Sequence, residues 1–324
     1  MNPDLQPALA APFTGLSPEQ VKDVGPLTTG KVRDVVDLGD RLALVATDRI
    51  SAFDQVLGTV PFRGQVLNQL AAWWFDQLAD VVPSHLLDVP DPNVTIARKC
   101  RTLPVEVVVR GRLSGSTSTA LWTRYAAGER EIYGLRFHDG MAKNDPLPEP
   151  VITPTTKAQA GAHDEPVSEV ELVARGLVAG PLWEQVRTVA LDVFHRGVQV
   201  AADSGLVLVD TKYEFGLDDD DQLTLIDEVH TPDSSRFWRA STVEQRRAVG
   251  DEPENLDKEF VRLAYVAAGY RGDGPPPALD EALACQAAEI YQETFRLLTG
   301  EPLDPAPYPA DERVAAALRA VVSL

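Results

Sequence analysis

Polar and apolar side chains alternate along residues 206–215. Val207, Val209, Thr211, Tyr213 and Phe215 form an apolar or β-branched set, and Leu206, Leu208, Asp210, Lys212 and Glu214 form the other. A strand sends every second side chain to one face. The first set is therefore expected on the core, with Asp210, Lys212 and Glu214 projecting together on the opposite side. Leu217 to Gln222, with its run of aspartates, reads as a turn, and Leu223 to His230 as the returning strand, followed by a polar loop to Trp238. A symmetric turn sets Lys212 across from Asp227, with Glu214 one diagonal away.

The rest of the chain is read the same way. Residues 1–26 are rich in Pro and Ala and read as irregular, with one short helix after Ser17-Pro18. Leu27 to Asp37 is a strand, Leu38-Gly39-Asp40 a turn and Arg41 to Thr47 the returning strand. On that strand Lys31 and Arg33 share a face, and Gly30 before them lets a ligand approach the backbone. Asp48 to Asp54 is a polar loop. Val66 to Val82 has helical spacing and stops at Pro83. Asn93 to Lys99 and Val105 to Arg110 are strands. A Gly/Ser turn follows from Arg110 to Thr119, then a helix through about Ala127. Met141 to Pro154 is a Pro-rich loop. Ser168 to Glu171 is a capping box, with Gly176 as the helix stop. Pro181 opens a helix to Ser204, with Gly205 at its end. Helices over Leu256–Ala268, Leu279–Leu298 and Pro309–Val322 read as scaffold.

Composition narrows the class. The chain has 324 residues and a formal charge of -19. Its sequence pI is about 4.6. Such acidity argues against nucleic acid and against anionic membrane surfaces, while leaving room for a local basic pocket. Cys100 and Cys285 are the two cysteines. They match no metal spacing and suggest a reducing compartment. No signal peptide and no apolar run near the roughly 20 residues of a membrane span are visible. The reading is a soluble cytoplasmic protein, monomer or homodimer, with small anionic substrates not excluded.

Charged residues on a strand usually form a solvated face. Here Asp210, Lys212, Glu214, Asp227, Glu228, Asp233 and Arg236 all fall within one hairpin and its exit. Hard oxygen ligands of this kind suit magnesium beside nucleotide phosphates, and Lys212 is then free to neutralise a phosphoryl oxygen. A strand, a Gly/Ser turn and a helix start make an anion site, so Arg110 and Ser116 are candidates for a phosphate. The alternative for Ser116 is a helix cap. Lys31 and Arg33 suit phosphate contact as well, although the segment is no Walker-type loop.

Several segments together resemble one family. They are GKVRD (Gly30–Asp34), TDRISAFD (Thr47–Asp54), EVVVRGRLSGS (Glu106–Ser116), TPTTKA (Thr153–Ala158), HDE (His163–Glu165), DTKYEFG (Asp210–Gly216) and IDEVHTPDSSRFW (Ile226–Trp238). In this order they resemble SAICAR synthetase, in the longer form of the family. The resemblance implies an ATP- and magnesium-dependent ligase of purine biosynthesis. Such an enzyme joins L-aspartate to carboxyaminoimidazole ribonucleotide (CAIR) through an acyl phosphate. By the family pattern, Gly30, Lys31 and Arg33 sit over the ATP phosphates and Glu106 lies near the adenine. Lys212 stands by the nucleotide as a catalytic group, with Glu214 and Asp227 on magnesium. Arg110, Ser116 and Arg236 clamp the ribonucleotide 5′-phosphate. Asp210 and Asp233 meet the aminoimidazole. Lys157 and the Ser51–Asp54 loop fall where aspartate and substrate contacts cluster. Arg112 stands where the family commonly has an aromatic, and Thr47 where it commonly has a serine.

The implied fold is α/β (α+β) in two lobes, similar to the kinase-like and ATP-grasp-like arrangement of the family. Residues 27–104 form a small antiparallel-sheet nucleotide lobe. Residues 105–324 form a larger substrate- and metal-binding lobe with a helical C-terminus. The active site lies in the cleft between them. A small-molecule kinase using the same phosphate machinery, and a non-catalytic nucleotide-binding regulator, are the alternatives that the residues leave open.

Overall fold

Strand Leu206–Leu217 is flanked along both of its edges, which is why nearly all of it is buried. The computed structural model describes residues 3–117, 119–157 and 165–323. Ser118 of the Gly/Ser turn, and Ala158 and the His163-Asp164 pair of the family segments, lie outside the described residues. The central strand pairs antiparallel with Val105–Arg112 and Arg101–Thr102 on one side. On the other side it pairs with Ser235–Arg239 and Leu223–Ile226. Val105–Arg112 in turn pairs with Pro146–Ile152 and Thr155–Thr156, completing a seven-stranded sheet.

The alternation expected along the central strand breaks at one place. Leu208 pairs with Phe237 but Asp210 with Arg236, so Val209 is an extra residue in the ladder. A bulge of this kind re-aims the side chains that follow it. Leu206 and Leu208 therefore join Tyr213 and Phe215 in the main core, while Val207 and Val209 pack with Trp238 and Val243 on the other side. Asp210, Lys212 and Glu214 still share a face, but without Leu206 and Leu208.

A second, five-stranded antiparallel sheet takes the order Leu27–Thr29, Arg33–Asp37, Arg41–Ala46, Val94–Arg98, Leu86–Asp91. The single strand expected over Leu27–Asp37 is a hairpin, with Leu27 opposite Val36 and Thr29 opposite Asp34. Gly30 is in its turn, where its N–H donates to the Arg33 carbonyl at 2.9 Å and an added Cβ would lie 2.7 Å from the same oxygen. Lys31 and Arg33 thus do not share a strand face. The polar loop expected at Asp48–Asp54 is also largely hairpin, with Arg49–Ala52 pairing to Gln55–Thr59 across a left-handed Phe53-Asp54 turn.

Two stretches read as loop are strand. Pro146–Ile152 is strand despite its prolines, because it pairs only with Val105–Arg112 and an edge tolerates missing N–H donors. Ser235–Arg239 is strand where a polar loop was expected. The returning strand is shorter than Leu223–His230. It ends at Ile226, where Asp227 takes φ 69 and leaves the ladder.

The core face of the large sheet is covered by helix Gly180–Asp203, while helix Arg63–Gln77 packs on the five-stranded sheet and on helix Glu281–Thr299 and joins the same core. Trp74, Trp183, Val186 and Phe194 pack there on Tyr213, Phe215 and Phe237. The expected helix start at Val66 moves back to Arg63, after Phe62 in a left-handed conformation. The capping box holds as expected: Ser168 accepts from the Glu171 N–H, and the Glu171 carboxylate accepts from the Ser168 N–H. Helix Asp311–Val322 brings Val314 and Leu318 back onto Val36, Val45 and Ile96 of the five-stranded sheet. No helix among the described residues is long and apolar enough to cross a membrane.

Candidate active site

Three groups of charge meet on the polar face of the large sheet. In the first, Lys212 Nζ lies 2.5 Å from Glu214 Oε1, 3.3 Å from Asp227 Oδ2 and 3.4 Å from Glu106 Oε1. Lys157 pairs with the other oxygen of Glu214. Arg33 reaches in from the five-stranded sheet to pair with Asp227, and its second nitrogen lies 3.3 Å from Glu228. Lys212 does not oppose Asp227 in the ladder, because Glu214 pairs with Ile226. The left-handed turn at Asp227 brings its carboxylate to the ammonium instead. Burial alone lowers the Lys212 pKa, but Asp227, Glu214 and Glu106 outweigh it and hold the ammonium charged. Burial likewise opposes the Asp227 charge, and Arg33 and Lys212 keep that carboxyl well below its usual range.

In the second group Asp210 bridges two guanidinium groups, 2.5 Å from Arg236 Nη1 and 3.3 Å from Arg110 Nη1. Strand pairing sets this up, since Arg110 and Arg236 are the cross-strand partners of Asp210 on its two sides. Arg110 Nε also donates to Thr153 Oγ1 at 2.8 Å. Ser116 is not a helix cap. The helix starts only at Leu121, after Ala120, and the Ser116 hydroxyl donates to Glu259 instead. The helix-terminus part of the expected anion site is therefore absent at Ser116.

The third group is centred on Asp233. Its carboxylate lies 2.6 Å from Arg63 Nη2, 2.9 Å from Lys258 Nζ and 2.6 Å from Tyr291 Oη. Burial alone would raise its pKa, but Arg63 and Lys258 hold it well below the usual range. A cavity of about 290 Å³ joins the second and third groups and touches Lys212. It is lined by Arg110, Asp210, Asp233, Arg236, Lys258 and Arg262, among others. A larger cavity of about 540 Å³ lies by Arg124, Tyr133 and Ser168 and contains none of these groups.

Glu106, Lys157, Lys212, Glu214, Asp227 and Arg33 are thus one cluster, and Arg110, Ser116, Asp210, Arg236 and Asp233 adjoin it. Lys31 and Asp54 form a pair of their own, 2.8 Å apart, at the exposed tips of their two hairpins. Ser51 pairs with Val56 inside its hairpin. Arg112 sits over the Trp238 ring, 5.7 Å from its centroid, and Thr47 Oγ1 donates to the Val32 carbonyl at 2.8 Å. Sequence reasoning missed Arg63, Lys258, Glu259, Arg262 and Tyr291. The Lys258/Arg262 spacing, which puts both on one side of a helix turn, was a usable signal for a basic helix face. Arg63 carried none beyond being a lone charge in an apolar run.

The family model for SAICAR synthetase matches residues 26–276. The phosphoribosylaminoimidazole-succinocarboxamide synthase of Legionella pneumophila (strain Lens) is 50% identical over 289 residues, 88% of this chain and 92% of that protein. The chloroplastic synthase of Vigna aconitifolia is 54% identical over 238 residues, 74% of this chain and 69% of that protein. Among solved structures, SAICAR synthase from Saccharomyces cerevisiae complexed with SAICAR matches with a TM-score of 0.77. It is 29% identical and covers 90% of this chain and 100% of its own.

A mixed α/β fold built of antiparallel sheets and these matches define an ATP-dependent carbon–nitrogen ligase that acts on small molecules. The chain belongs to the SAICAR synthetase family. Its reaction is the ATP-dependent joining of L-aspartate to CAIR in purine biosynthesis.

Proposed function

We propose that this reaction runs on the polar face of the large sheet, in a cleft between a nucleotide lobe (27–104) and a substrate lobe (105–324), in a cytoplasmic enzyme. The observation that carries the reading is the convergence of Glu106, Glu214 and Asp227 on the Lys212 ammonium, directly beside the Arg110–Asp210–Arg236 clamp. On this reading a phosphoryl-handling cluster lies next to an anion-binding one.

A carboxylate is a poor electrophile. In the proposed sequence an oxygen of the CAIR carboxylate attacks the γ-phosphorus of ATP and ADP leaves. The aspartate amine then attacks the acyl carbon, loses a proton and expels phosphate. Charge gathers on the transferring phosphoryl group, where fixed cations lower the barrier. Lys212 and Arg33 serve there, with Gly30 and Lys31 in the hairpin turn over the ATP phosphates and Glu106 on the adenine side. Arg110, Ser116 and Arg236 hold the ribonucleotide 5′-phosphate. Asp210 and Asp233 meet the aminoimidazole. Lys157, Ser51 and Asp54 serve the aspartate.

Glu214 and Asp227 would hold magnesium. Their oxygens converge on one point, now taken by an ammonium, and oxygen donors suit this ion. Among the described residues no group of three or more His, Cys, Asp or Glu is placed to hold a metal alone. Magnesium commonly takes one or two carboxylates together with substrate phosphates. Bound there, it would neutralise charge on the phosphoryl oxygens.

The test is ADP release from ATP, magnesium and CAIR, with and without L-aspartate. Aspartate-dependent turnover is expected. Turnover indifferent to aspartate indicates a kinase, and no turnover a regulator.

A further inference from the structure

The Ser116 hydroxyl and the Arg236 guanidinium, both expected on the 5′-phosphate, are engaged by one acidic side chain. Ser116 donates to Glu259 Oε1, and Arg236 Nη2 lies 3.7 Å from Glu259 Oε2. Arg262, one helical turn on, is 3.1 Å from the same oxygen. Glu259 opens helix Glu259–Ala267 and is only 5% exposed. Burial opposes its charge, but Arg236 and Arg262 hold it well below the usual carboxylate range, so it remains a carboxylate. Its helix is anchored to the sheet by Asp257, which accepts from the Glu259 N–H at 2.6 Å and the Phe237 N–H at 2.8 Å. Asp210 already joins Arg110 to Arg236, and neither the ligase reaction nor the sequence pattern calls for a second acid at the phosphate clamp.

We infer that Glu259 is an internal counter-anion of the phosphate clamp, displaced when a dianionic phosphomonoester binds, and that the cost of displacing it sets an affinity threshold that less charged anions fail to clear. The inference rests on the reading of Ser116 and Arg236 as phosphate ligands. A carboxylate bears one negative charge. A phosphomonoester near neutral pH bears about 1.5 to 2 and offers three acceptor oxygens to guanidinium groups. Exchange therefore favours the phosphomonoester, while a phosphodiester or carboxylate gains little over the side chain it replaces. Exchange also frees Arg262, which lines the same cavity as Arg110 and Arg236. The bound phosphate then meets one cation more than the sequence pattern assigns it. A fixed like charge beside the ligand would repel a dianion more than a monoanion; a carboxylate that moves aside subtracts one displacement cost from every anion, and only a strongly held phosphomonoester keeps useful affinity after it.

The test uses the full chain and calorimetric binding of inorganic phosphate, dimethyl phosphate (a monoanion) and CAIR, for wild type, Glu259→Gln and Arg110→Ala. Thermal unfolding checks that each variant folds. Glu259→Gln is expected to bind phosphate and CAIR roughly tenfold tighter, about 1.4 kcal/mol, and to gain binding of dimethyl phosphate. If it does not fold, Glu259→Asp, which keeps the charge but draws it back from Ser116, is expected to tighten phosphate binding by a smaller factor. Unchanged or weaker binding in the Glu259 variants, with Arg110→Ala weakened, overturns the inference and leaves the clamp standing. Binding that ignores both Arg110 and Glu259 overturns the clamp and the inference together.

Discussion

Lys212 and Glu214 sit two residues apart on one strand, and their side chains meet with Nζ 2.5 Å from Oε1. Neighbours of that spacing on a strand point the same way. They pair this closely because Asp227, Glu106 and Lys157 crowd the same face. If the ammonium stabilises the transferring phosphoryl group, Lys212→Ala should lower kcat by about a hundred- to a thousandfold, the usual loss for one preorganised electrostatic group. The fold should persist, since Lys157 and Arg33 still neutralise Glu214 and Asp227. Steady-state kinetics with a circular-dichroism check decides it. An active Lys212→Ala enzyme removes this role.

Arg110 is 8% exposed and shares Asp210 with Arg236. If it clamps the bound phosphate, it contributes to ground and transition states alike, and Arg110→Ala should raise KM for CAIR with little change in kcat. Charge-assisted hydrogen bonds are worth about 1.5–3 kcal/mol, a rise of roughly ten- to a hundredfold. Arg236 limits the loss by remaining on Asp210. An unchanged KM would falsify the assignment.

The periodicity of the central strand was enough to gather Asp210, Lys212 and Glu214 on one face. It could not show where that face begins. The bulge at Val209 is carried by no Gly or Pro, only by pairing with Phe237 and Arg236. Gly30 did signal something, but a turn and a ligand approach leave the same mark in a sequence. The hairpin that parts Lys31 from Arg33 shows only in the pairing of Leu27 with Val36. The partners of Asp233 are hidden for a different reason. Arg63 is 170 residues away along the chain and Tyr291 58, and no local pattern couples positions so distant. Glu259 lies in the first turn of a helix read only as scaffold, where an acid is ordinary. Its meaning comes from Ser116 and Arg236, which reach it from the loop after Val105–Arg112 and from strand Ser235–Arg239.

His230 gives the fold an acid limit. It is fully buried, its Nε2 is 3.2 Å from Tyr213 Oη and its ring is 4.6 Å from that of Trp74. Burial lowers its pKa to about 3, against an ordinary value of 6.5. Between those values the unfolded chain binds a proton that the folded chain refuses. The stability it permits is full above pH 6.5 and is lost as pH falls toward 3, with a slope of at most about 1.4 kcal/mol per pH unit. His230→Asn tolerates the left-handed backbone at φ 49 and cannot titrate. Urea unfolding at pH 7 and pH 5 should show a smaller stability difference in this variant than in wild type. Equal differences would rule His230 out as a source of the acid sensitivity.

Arg63 and Asp233 form a pair with side-chain exposures of 1% and 4%. Arg63 Nη1 also donates to the Thr47 carbonyl at 2.9 Å, so this guanidinium ties the start of a core helix to the end of a strand in the other sheet and to the site loop. Breaking a buried pair by removing one partner commonly costs about 3–5 kcal/mol, because the remaining charge is stranded in low dielectric. Here Lys258 and Tyr291 stay on Asp233, which places the expected cost of Arg63→Met near the lower end, about 3 kcal/mol. The Tm should fall by roughly 5–10 °C. Activity at low temperature should fall as well, since Asp233 loses one of the groups that fix its orientation in the cavity. Lys258→Met separates the two effects: its ammonium holds the same carboxylate oxygen but lies outside the helix-to-strand tie. It should disturb CAIR binding with a smaller loss of Tm. Arg63→Met with wild-type Tm would show that the pair does not hold the two sheets together, whatever it does for the substrate.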